Sequence, residues 1–154
     1  MSQSSRVAFV LAGLALASMV VLTQAQDRAA AGLTPLVSVR ELMEKTITPA
    51  TNQLWSAYNA PTTPAEWRVM EEASITLLAA SSLTGAGGTG PMDAEWARQP
   101  AWAAFNQAMI AAGKAALDAT RKQDAEALVA AGDLLLPPCE GCHLQFNPAV
   151  VEAE

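Results

Sequence analysis

The apolar residues of this chain recur by threes and fours, and no alternating apolar–polar run reaches the length of a strand. That period belongs to helices, whose side chains return to one face every 3.6 residues, and it argues against sheet. Abundant Ala and sparse β-branched residues point the same way. Four helical segments follow. The first spans about 36–58, with Val39, Leu42, Met43, Thr46, Ala50 and Leu54 on one face; Pro49 inside it predicts a kink or restart. The second spans 64–83: Thr63 reads as its N-cap, Pro64 as its first position, and Glu66 completes a capping box. Its inner stripe is Trp67, Met70, Ser74, Leu77, Leu78 and Ser81. TGAGGTGP and MDAEWARQ then make a long connection, with a short helical turn expected over 93–98. The third segment spans 100–120, with Trp102, Phe105, Met109, Ala112, Ala116 and Thr120 in register. The fourth starts at Asp124, and Leu128, Gly132 and Leu135 stay in phase with Cys139, Cys142 and Phe146. Pro137–Pro138 predicts a stop near Leu136 and a restart at Pro138, and Asn147–Pro148 ends the helix. The fold class expected is all-α, and four such stripes pack most simply as an antiparallel four-helix bundle in one domain.

The N-terminal stretch reads differently. Arg6 precedes an apolar run from Val7 to Leu22, and Thr23 and Ala25 stand as in a small-residue cleavage site. This is the three-part pattern of a secretory signal peptide, expected to occupy 1–25 and to leave 26–154 as the folded part; an uncleaved anchor is the alternative. Export would place the protein in an oxidising compartment, the periplasm of a bacterium. The chain carries 9 Lys+Arg against 15 Asp+Glu, a net charge of −6. Loss of the leader removes Arg6 and no acid, so the remainder is more acidic still. An acidic chain without a basic cluster is a poor ligand for nucleic acid or anionic lipid.

With 2 Cys and 1 His, the chain cannot by itself assemble a four-ligand zinc centre of Cys and His, a bis-histidine site or a dense disulfide scaffold. All three residues fall in one string, Cys139-Glu140-Gly141-Cys142-His143. C-x-x-C-H is the c-type haem attachment pattern. Thiols three positions apart lie on one helical face and can both reach the vinyl groups of one porphyrin. The next residue then presents its imidazole to the iron. A thioredoxin-like dithiol, a Cys139–Cys142 disulfide and half a zinc site shared between two chains are the competing uses. The first lacks its βαβ setting, and the second leaves His143 unexplained.

A secretory leader, four helices and a single C-E-G-C-H in the last of them resemble a class II c-type cytochrome, the cytochrome c′ family and its low-spin relatives. Class I proteins carry the motif near the N-terminus instead. The resemblance implies one covalent haem c per chain, with Cys139 and Cys142 as thioethers and His143 as the iron ligand. It also implies that the first helix covers the distal face, where Met43 and Leu42 are the matching residues. Met43 is then either the sixth ligand, raising the potential, or pocket lining. Arg40 either pairs with a haem propionate or is a solvated surface residue. The phase around Arg40 and Met43 differs by one residue from the family pattern.

Electron transfer with basic redox partner proteins is the function this implies, since no second His and no spare Cys remain for catalysis. A five-coordinate haem binding nitric oxide or carbon monoxide is the second reading. A helical interaction protein without haem is the third. Peroxidase chemistry lacks a nameable distal acid–base group. Family members often pair through their first two helices, so the resemblance leaves room for a homodimer.

Overall fold

The computed structural model describes residues 34–147, and every regular element among them is helical, with no strand. The segment 1–25, expected above to be a signal peptide, lies outside the described residues. Among the described residues, six helices follow Pro35.

Helix α1 is continuous but built in pieces: Val39–Leu42 is α-helical, Met43–Ile47 is a π-turn, Thr48–Trp55 is α-helical, and Ser56–Asn59 closes it as a 3-10 turn. Ser38 caps it. The Ser38 hydroxyl accepts from the Glu41 N–H, and the Glu41 carboxylate accepts from the Ser38 N–H at 2.8 Å. The π-turn is the form taken by the kink expected at Pro49. Proline has no N–H and its ring crowds the carbonyl four residues back, so the turn before it widens. The Thr48 N–H accordingly donates to the Met43 carbonyl, five residues earlier. One extra residue enters the turn, and the buried positions stride from Leu42 to Ile47 before continuing through Ala50, Thr51, Leu54 and Ala57. Thr46, placed on the inner stripe by an uninterrupted 3.6 period, is therefore only half-buried, and Ile47 takes its place.

Helix α2, Pro64–Thr84, starts with the expected capping box: the Glu66 carboxylate accepts from the Thr62 and Thr63 N–H groups, both at 2.8 Å. Trp67 and Leu78 on its stripe are half-buried, and Met70, Ser74, Leu77 and Ser81 are buried. Helix α3, Asp93–Trp96, is a single turn inside the long connection. Helix α4 runs Pro100–Lys122 and ends at Gln123, a left-handed cap with φ 53°. Helix α5, Ala125–Asp133, is capped by the Asp124 carboxylate, and α6 runs Leu136–Phe146. The break between α5 and α6 falls at Leu134–Leu135, earlier than the sequence predicts. Pro137 and Pro138 thereby occupy the first turn of α6, where a missing N–H leaves no helical bond unmade.

Helix α2 packs against α1 and α4, α4 also against α5 and α6, and α1 against α5. The main core gathers Leu54, Leu77, Leu128 and Leu135, each at most 1% exposed, with an alanine layer that lets the helices approach closely. Burial of each leucine side chain is worth about 2–3 kcal/mol. The Trp55 indole N–H donates to the Gly132 carbonyl at 2.9 Å and clips α1 to α5. A second, smaller cluster of Val39, Trp102 and Phe146 sits beside the C-terminal end of α6.

Candidate functional site

Cys139, Cys142 and His143 stand on α6 and are all half-buried. They lie outside the main core of Leu128 and Leu135; the buried residues of α6 are Pro138 and Phe146, and Cys142 packs against the smaller cluster that holds Phe146. Cys142 and His143 line two adjoining cavities of about 580 and 450 Å³, and Cys139 lines the smaller of them. Each volume falls within the roughly 300–1,000 Å³ of small-molecule sites. Met43, Thr48, Trp102, Cys142 and His143 border both, so the two form one cleft with α1 on one side and α6 on the other.

Three arrangements hold this cleft. Gly141, inside the motif, lies against Phe105 of α4: a Cβ there would stand 2.5 Å from Cε1 of that ring. Close approach of α6 to α4 thus requires a residue without a side chain between the two cysteines. At the end of α6, Phe146 meets Trp102 edge-on at 5.1 Å between ring centres, and Trp96 lies 5.9 Å from Trp102 and 6.0 Å from Phe146. The Trp102 indole N–H donates to the Thr84 carbonyl at 3.1 Å and anchors the group to α2. The third arrangement is the glycine-rich connection. Asp93 is 4% exposed, and its Oδ2 accepts from the Val39 and Gly90 N–H groups, each at 2.8 Å. A carboxylate at the first N–H of α1 complements the positive end of the helix. The same segment approaches so closely that a Cβ on Gly88 would stand 2.6 Å from the Val39 nitrogen. This connection therefore fastens the start of α1, and with it Met43, to the rest of the fold.

Both cysteines are free thiols. Burial pushes the Cys139 pKa up, with a further contribution from Glu140, and pushes Cys142 to about 11, with a further contribution from Cys139. Such thiols are protonated near neutral pH, whereas a redox-active C-x-x-C depends on a depressed value. Among the described residues no group of three or more His, Cys, Asp and Glu could hold a bare metal ion.

The three motif residues are brought together with Met43, which faces the cleft from α1; Leu42 is buried and lines neither cavity. The π-turn begins at Met43, so the helical phase that presents it is set by Pro49 six residues on. Arg40 lies on the rim of the larger cavity, its side chain 79% exposed and 3.9 Å from Glu44. Sequence reasoning missed Asp93, Thr51 and Asn106. The last two are buried residues of the smaller cavity, and Thr51 Oγ1 and Asn106 Oδ1 have no hydrogen-bond partner. Asn106 was detectable in principle, since it lies four residues from Trp102 and three from Met109 on the buried stripe of α4.

No family model, no curated protein and no solved structure matches this chain. Among the described residues no helix is long and apolar enough to cross a membrane.

Proposed function

We propose that this chain is an exported c-type haem protein of the class II kind that carries electrons between partner proteins. The observation that carries the reading is the placement of both thiols and the one imidazole on a single helix, all bordering a cleft walled on its far side by Met43. The residues present fit the group. The cleft is lined largely by apolar and aromatic side chains, and its donors are a thiol pair and an imidazole on one face. Cys139 and Cys142 would hold the porphyrin as thioethers, and His143 would bind the iron. When bound, the haem supplies one-electron cycling between Fe(III) and Fe(II). Met43, which lines the cleft from α1, would provide a sixth, sulfur ligand, and Arg40, which borders the larger cavity, would meet a propionate.

The pairing of α1 with α2, of α2 with α4, and of α4 with α5 and α6 supports an antiparallel four-helix bundle in which α5 and α6 form the last, broken member. The motif's position in that member matches the class II arrangement. A leader over 1–25 and location in the periplasm belong to the same proposal, as do a basic redox partner and a homodimer through α1 and α2.

A pyridine haemochrome spectrum of protein matured through a haem-attaching export pathway tests the reading. The spectrum of a thioether-bonded haem is expected, and a colourless product would support a haem-free interaction protein instead. A high-spin spectrum that shifts under carbon monoxide would move the function to gas binding.

A further inference from the structure

The two walls of the cleft are not packed on each other. Among the described residues α6 rests on α4, and α1 rests on α2 and α5, with no comparable packing between α1 and α6. Met43 and His143 border the same cavities from these two walls, so their separation is set by other elements. The single turn α3 reaches both sides. On one side the Asp93 carboxylate accepts from the Val39 N–H at 2.8 Å, one helical turn before Met43. On the other, three residues along the same turn, Trp96 lies against Trp102 and Phe146, and Phe146 follows His143 by three residues on α6.

Asp93 suits this task by its burial as well as its reach. It is buried and borders the larger cavity together with Met43 and His143. Its Oδ2 also accepts from the Gly90 N–H, and the loop closes so tightly around the carboxylate that a Cβ on Gly90 would stand 2.7 Å from that oxygen. A second link, from the Thr89 N–H to the Val37 carbonyl at 3.1 Å, fixes the chain on the other side of Ser38. A bond from a backbone N–H to a carboxylate is roughly twice as strong as one between neutral groups. We infer that Asp93 is a positioning residue of the cleft: through α3 it ties the start of α1 to the aromatic group at the end of α6, and so sets how far Met43 stands from His143. The inference rests on the haem reading above, in which that separation decides whether the sulfur reaches the iron.

The test uses the holoprotein and two readouts. Nitroxide labels on Lys45→Cys and Gln145→Cys, exposed positions that line neither cavity, report the distance between α1 and α6 by pulsed electron paramagnetic resonance. The sulfur–iron charge-transfer band of the unlabelled protein reports ligation by Met43. Asp93→Ala is expected to lengthen and broaden the label distance and to lower the ratio of sulfur-ligated to open iron about five-fold, the effect of one lost hydrogen bond. Asp93→Asn, which keeps an acceptor oxygen, is expected to restore both. Thr63→Ala, which weakens the cap of α2 away from the cleft, is expected to change neither. Trp96→Leu cuts the same tie at its other end and is expected to act as Asp93→Ala does; it carries the test should Asp93→Ala fail to fold. An unchanged label distance overturns the inference, as does an unchanged band where the parent protein shows one. A coloured parent without the band removes Met43 from the iron, and the label distance alone then judges Asp93. A colourless product overturns the haem reading instead, and the label distance, read with Cys139→Ser and Cys142→Ser added, still judges Asp93.

Discussion

Gly141 offers the sharpest structural test, because two opposing effects of known size meet there. Replacement of a helical glycine by alanine ordinarily stabilises by about 1 kcal/mol. Here the new Cβ would stand 2.5 Å from Phe105 Cε1, 2.9 Å from Cζ and 3.4 Å from Cδ1. A rigid ring cannot yield as a flexible chain end does, so α6 must move away from α4 or Phe105 must leave its rotamer. Overpacking of this kind costs about 1–3 kcal/mol. Gly141→Ala is therefore expected to destabilise the protein by up to about 2 kcal/mol. Phe105→Leu removes the ring atoms that the Cβ would strike. In that background Gly141→Ala should be neutral or stabilising, with a coupling energy of about 1–3 kcal/mol between the two sites. Urea denaturation of the four proteins, followed by far-ultraviolet circular dichroism, closes the cycle. If Gly141→Ala stabilises equally in both backgrounds, α6 does not pack on Phe105 as described, and the placement of the motif is wrong.

Asp93→Ala deprives one buried and one half-buried N–H group of their acceptor and should cost about 1–3 kcal/mol in urea denaturation, whereas Asp93→Asn, which retains one oxygen, should cost less. Glu66, held by the Thr62 and Thr63 amides, has its pKa lowered from 4.5 to about 2. Its contribution to stability is thus full above pH 4.5 and is lost as the pH falls toward 2. The melting temperatures of the parent protein and Glu66→Gln should accordingly differ at pH 6 and converge near pH 2; a difference that persists at low pH would exclude the carboxylate as its source. Met43→Ala should convert a low-spin absorption spectrum with a sulfur–iron charge-transfer band into a high-spin one, and an unchanged spectrum would remove Met43 from the iron.

The sequence made the helix starts legible where the signal is local. Thr63 with Glu66, and Asp124, name their helices because a cap needs only residues three positions apart. The motif was legible for the same reason, its spacing being complete within five residues. Other features depended on distant partners or on phase. Asp93 binds an N–H 54 residues away, and nothing in DAEW announces it. Pro49 marked a disturbance in α1, but not that a π-turn would absorb it, and so Thr46 was placed on the inner face where Ile47 stands, while Ala50 and Leu54 beyond the turn are buried as expected. Asn106 lies on the inner stripe of α4, yet its polarity hid it from a search for apolar positions. The α5–α6 break was displaced by about two residues because the restart was set at Pro138, whereas the helix starts at Leu136 and takes both prolines into its first turn.

The account depends most on covalent attachment at Cys139 and Cys142. Intact-mass analysis of protein exported from cells able to attach haem, followed by peptide mapping, measures it directly. The account predicts one haem mass added to the chain, carried by the peptide that contains 139–143. A chain at its unmodified mass, with both thiols open to alkylation, would contradict it.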